Sequence, residues 1–189
     1  IRYYVYNINY IMEEWKEELA KCEEVKDWDA ALKLTQKVIE DDPDNIDVYL
    51  LTNYLLMNLL VEEDYEFAKT DYYSGLLKRY FNESYVKFSQ EPEYLFYTAI
   101  TASMSEWFMG INDKEVYYKM FRRALEIRHD NALYLWGNYA YLPLKNVSKA
   151  VYYAKIILNN DLIKLSLCDK GALGGYVVEM IKATIKYEL

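Results

Sequence analysis

His129 is the only histidine in the 189 residues, so no two-histidine metal motif can form. It follows a basic stretch, Arg122-Arg123-Ala124-Leu125-Glu126-Ile127-Arg128, with no Ser-His-Asp or Cys-His local signature beside it. Basic residues that end a helix complement its dipole, which accounts for His129 without catalysis. Cys22 and Cys168 lie far apart with no CxxC spacing, so neither a disulfide framework nor a zinc site is expected. Asp42-Pro43-Asp44-Asn45-Ile46-Asp47 crowds oxygen ligands as a calcium loop does. It lacks the glycine at the sixth position and the glutamate at the twelfth, where Asn53 stands. It reads instead as a solvated turn in which Asp44 caps the next helix. No catalytic residue, metal or cofactor is expected.

The elements that carry these residues are helical. With 53% hydrophobic and 17% aromatic residues, the chain can bury enough apolar surface to offset its ordering entropy. Six glycines and three prolines are too few for the tight turns of a sandwich or barrel. Apolar residues recur at three- and four-residue spacing nearly throughout, which predicts about nine helices. Their expected spans are 4–25, 28–40, 46–61, 65–81, 93–109, 114–128, 132–141, 148–158 and 170–187. Asp27 is the expected N-cap of the second, which stops before Pro43. Short polar connections force antiparallel neighbours, and only 82–92 reads as a longer loop. No apolar run approaches the ~20 residues of a membrane span. The opening IRYYVYNINY shows no basic n-region followed by an apolar h-region, so a cytoplasmic setting is expected.

Charge is spread unevenly. Residues 1–110 hold 22 Asp/Glu against 10 Lys/Arg, whereas residues 111–189 hold 8 against 12. Between Glu40 and Glu66 there are nine carboxylates and no Lys or Arg. Such a surface repels phosphate backbones, which argues against direct nucleic-acid binding, and it attracts a basic protein.

The stretch from Asp27 to Asn45, DWDAALKLTQKVIEDDPDN, resembles the second helix and exit turn of a tetratricopeptide repeat. Ala31 stands where two helices approach closely, Pro43 where the chain turns into the next unit, and Trp15 where the first helix carries its Trp. Ala68 with Gly75, Phe121 with Ala124, and Tyr134, Tyr141 with Ala150 carry three looser units. The resemblance implies an all-α fold over 1–189: antiparallel helical pairs stacked as a short solenoid over 12–160, with a capping segment at 161–189. In that last segment Val177, Met180, Ile181, Thr184 and Ile185 form one stripe, expected to cover the exposed end of the stack. Separately, Arg123 followed six residues later by His129 is similar to the catalytic pair of the HEPN ribonucleases, which implies RNA cleavage as an alternative.

In the repeat phase, Leu50, Tyr54 and Met57 project toward a groove alongside Asp47, with Glu13 and Glu17 on the corresponding face of the first unit. Glu62, Glu63 and Asp64 close the acidic run. These nine residues are the expected partner-binding set, because carboxylates steer a basic protein and aromatics supply contact energy. The chain is therefore expected to be a non-enzymatic module that sequesters a basic protein, most concretely an immunity or antitoxin protein holding a toxin inactive. The competing binder is a secretion chaperone or scaffold adaptor that takes an extended peptide in the groove.

Overall fold

The computed structural model describes residues 13–63, 65–143 and 146–186. Ten helices follow in order: α1 (Glu14–Glu24), α2 (Trp28–Asp41), α3 (Ile46–Val61), α4 (Thr70–Phe88), α5 (Pro92–Ser105), α6 (Glu115–Ile127), α7 (Ala132–Tyr141), α8 (Val147–Leu158), α9 (Asp161–Asp169) and α10 (Gly171–Lys186). A single 3-10 turn, Phe67–Lys69, precedes α4, and no strand occurs among the described residues. The all-α expectation holds. The 4–12 portion of the expected first helix lies outside the described residues.

Caps set most of the starts. Asp27 accepts from the Ala30 amide at 3.1 Å and opens α2. Asn45, not Asp44, opens α3 by accepting from the Val48 amide at 3.2 Å. Asn131, Asn146 and Asn160 do the same for α7, α8 and α9. Asparagine reaches back to its own backbone without a charge, so it replaces the acidic cap read from the sequence.

Successive helices pack against one another from α1 to α4 and again from α5 to α10, and α3 also packs on α5. That arrangement surrounds α3, whose side chains are buried without a break from Val48 to Met57. A helix apolar on all sides belongs inside. Ala31, Ala124 and Ala150 are buried where neighbouring helices meet. Gly137 serves the same end, since an added Cβ would stand 2.7 Å from the Phe96 ring and 3.1 Å from that of Phe121.

Two expectations need correction. The fourth helix is displaced from 65–81 to Thr70–Phe88, so 82–92 is not a loop. Its buried positions, Tyr73, Leu76, Leu77, Tyr80, Phe81, Ser84 and Phe88, keep helical spacing through the polar-looking Asn82-Glu83-Ser84. Ser84 is satisfied there: its hydroxyl meets the Tyr94 hydroxyl at 2.8 Å and donates to the Tyr80 carbonyl at 2.7 Å. The longer links are instead 62–69 and 106–114, and Ala68 and Gly75 are exposed rather than pressed between helices.

The C-terminal segment differs more. An additional helix, α9, precedes α10, and α10 folds back along the molecule instead of only closing its end. It packs on α8 and α9 through Leu173, Val177 and Ile181, and also reaches α3 and α1. The Tyr176 ring lies 6.0 Å from that of Tyr54 on α3, and the Trp136 indole on α7 donates to the Thr184 hydroxyl at 3.1 Å. The reversal is tight: Gly171 takes φ +50°, and a Cβ on Gly174 would fall 1.7 Å from the Leu167 carbonyl oxygen. No side chain fits there. Gly174→Ala should therefore destabilise the fold by about 3 kcal/mol or more. Gly175→Ala, where nothing lies within 4 Å, should stabilise it by about 0.5–1 kcal/mol through helix propensity. Urea denaturation of both variants checks the pair, and equal effects would contradict the close approach.

Candidate interaction surface

Leu50, Tyr54 and Met57 lie 2%, 8% and 1% exposed. The groove they were expected to line is occupied by α10, so in this conformation they offer a partner no surface. Tyr54 meets Tyr176 there, and burial, followed by the influence of Tyr176, Glu23 and Glu62, pushes its hydroxyl well above the ordinary range. Glu23 is half-buried on the same side of α1. Desolvation raises its carboxyl to about 7.

Asp47 does not face a partner either. It lies in the first turn of α3 and takes both Lys16 of α1 and Lys170 from the α9–α10 corner. Lys16 also meets Asp169 at 3.1 Å, and Lys170 meets Glu93 of α5 at 2.9 Å. Both lysines are almost fully buried. Burial alone would push the Asp47 carboxyl up, but Lys170 and Lys16 hold it below the usual carboxylate range. Burial likewise works against the charged lysines, yet Asp47 with Asp169 keeps Lys16 above its ordinary value, and Asp47 with Glu93 does so for Lys170. Asp47, Lys16 and Lys170 are therefore charged together near neutrality. Lys16 turns inward from α1, where Asp47 on α3 and Asp169 on α9 satisfy its buried ammonium.

The remaining expected residues stay on the surface. Glu13 accepts from the Trp15 indole, and Glu17 is exposed. Glu62 is exposed at the end of α3, Glu63 pairs with Lys26 at 2.9 Å, and Asp64 lies outside the described residues. The acidic run thus splits to opposite ends of α3, Glu40 to Asp44 before it and Glu62 to Glu66 after it.

At the second end there is a hollow of about 240 Å³. Lys26, Asp27, Trp28 and Asp29 form one wall, Leu59 the floor, and Tyr65, Glu66, Lys69 and Tyr73 the other. The capped start of α2 holds the first group, and the link before α4 holds the second. Tyr65 and Tyr73 meet edge to face at 5.7 Å, and the Tyr65 hydroxyl meets that of Thr70 at 3.1 Å, so the rings are fixed. Lys69 reaches Asp29 at 3.7 Å. Among the described residues Phe67, 88% exposed, is the most exposed large apolar side chain; Val25 is exposed at 74% and Tyr72 at 55%. Neither Phe67 nor Trp28 was singled out from the sequence. The signal available was an aromatic set among charges, Glu66-Phe67-Ala68-Lys69, where helical spacing lapses.

Arg123 donates to Gln90 at 3.1 Å and Glu126 at 3.3 Å, while His129 is exposed in the turn after α6.

Two measurements follow from the interior charges. Asp47→Ala leaves two buried lysines short of a partner and should cost about 3–5 kcal/mol in chemical denaturation; an effect under 1 kcal/mol would show the cluster to be solvated. For Glu23, the folded chain keeps a proton that the unfolded chain releases near pH 4.5. Stability should accordingly fall as pH rises from about 4.5 to 7, and Glu23→Gln should flatten that part of the Tm profile. Equal slopes for the two proteins would refute it. Comparison of the chain with family models, with curated proteins and with solved structures finds no match.

Proposed function

We propose that this chain is a non-enzymatic protein-binding module of the tetratricopeptide-repeat type that sequesters a basic protein in the cytoplasm. The most concrete form is a bacterial immunity or antitoxin protein that neutralises a toxin domain by covering its cationic cleft. The observation that carries the reading is the exposed anionic surface of the first four helices. Glu14, Glu17, Glu18 and Glu24 face outward from α1, and Glu40, Asp41, Asp42, Asp44, Glu62 and Glu66 flank α3. The cations on that face are fewer, and several of them, Lys26, Lys37 and Lys87, are paired locally. Carboxylates gathered this way accelerate encounter with a cationic protein and repel nucleic acid. Two free thiols, Cys22 and Cys168, agree with a reducing compartment. The repeat assignment is supported by Ala31, Ala124 and Ala150 at helix contacts, and opposed by the exposed Ala68. Capture of an extended peptide in the groove is less favoured, because α10 already lies there.

Affinity capture from the source cell should return a protein rich in Lys and Arg. Its association rate, followed by stopped flow, should fall about tenfold or more between 0.05 and 0.5 M salt. A partner with no cationic surface, or a rate indifferent to salt, would overturn the reading.

A further inference from the structure

The hollow between the start of α2 and the 62–69 link combines three features. Aromatic faces line it, Trp28, Tyr65 and Tyr73. Carboxylates rim it, Asp27, Asp29 and Glu66, with Lys26 paired to Glu63 at 2.9 Å and Lys69 facing Asp29 loosely at 3.7 Å. Large apolar side chains stand in solvent beside it: Val25 next to Lys26, Phe67 next to Glu66, and Tyr72 next to Tyr73. Carboxylates alone would indicate only a solvated rim. Phe67, exposed at 88%, buries little of its ring within the chain and gains apolar burial when a partner covers it.

We infer that this hollow is the docking point for an arginine-bearing segment of the basic partner, with apolar residues of that segment covering Phe67 and Val25. The inference rests on the reading of the chain as a binder of a basic protein, and it locates the contact. Charge complementarity selects the occupant. A guanidinium is planar, stacks on aromatic faces and forks onto a carboxylate, whereas an ammonium is a compact, strongly hydrated charge. Lys69 holds Asp29 only at 3.7 Å and half in solvent, so an entering guanidinium can take that carboxylate from it. Glu66 on the facing wall is the second anchor.

The probe is a peptide of alternating arginine and leucine, with counterparts carrying lysine or glutamate for each arginine, titrated calorimetrically and by the Trp28 indole resonance. The arginine peptide should bind most tightly and move that resonance. The double variant Asp29→Asn, Glu66→Gln should weaken it about tenfold, and Phe67→Ser about threefold. Asp44→Asn, at the other end of α3, should change nothing. All of these side chains are exposed, so circular dichroism and Tm should match the parent. Equal binding of the lysine peptide overturns the guanidinium assignment, and an equal loss from Asp44→Asn shows diffuse attraction without a docking point. With the natural partner in hand the two claims separate. If it binds the Asp29, Glu66 and Phe67 variants as well as the parent, the docking point fails while the function stands. If no basic protein binds at all, the function itself fails.

Discussion

Two buried lysines, one on the first helix and one at the corner between the last two, share the carboxylate of Asp47. The rest of the architecture depends on that arrangement. A buried ammonium is tolerated only where opposite charge surrounds it, and Asp169 and Glu93 complete the set. Asp47 and Glu93 each sit in the first turn of a helix, where the backbone amides favour negative charge. The corner at Lys170 is therefore held against the N-terminal ends of α3 and α5, and α1 is drawn to the same point through Lys16. An apolar stripe can slide along a neighbour by a turn at modest cost; a buried charge cannot, because any shift leaves it unpaired.

That anchor decides what the molecule exposes. With its start pinned and Gly174 allowing the chain to reverse against Leu167, α10 must run back over α3 and α1. Tyr54, Met57 and Leu50 then become core, and the face expected to meet a partner has Tyr54 against Tyr176 instead. The proposed interaction surface is instead peripheral, where Phe67 on the 62–69 link stands exposed near the hollow. Anionic charge on α1 and at both ends of α3 lies largely outside this hollow, so under the proposed function steering and contact fall to different residues.

Helix content, most helix spans and the uneven charge were legible in the sequence, because each depends on neighbours within a few positions. Ile46–Val61 and Ala132–Tyr141 follow from local apolar spacing and flanking caps. The displaced α4 shows where that reasoning ends: Asn82 and Ser84 look like loop residues until Tyr94, from another helix, supplies a partner for the serine. The short α9 was missed because it buries little beyond Leu167 and carries no clear stripe.

What the sequence determined by itself was an all-helical chain with an acidic first half, since secondary-structure period and net charge are sums over local residues. What only the tertiary structure decided was which face of those helices is free. Lys16, Asp47, Asp169 and Lys170 are unremarkable charges along the chain and become one buried cluster only when residues more than 150 positions apart meet. Desolvation is a property of that meeting, and no window of sequence contains it.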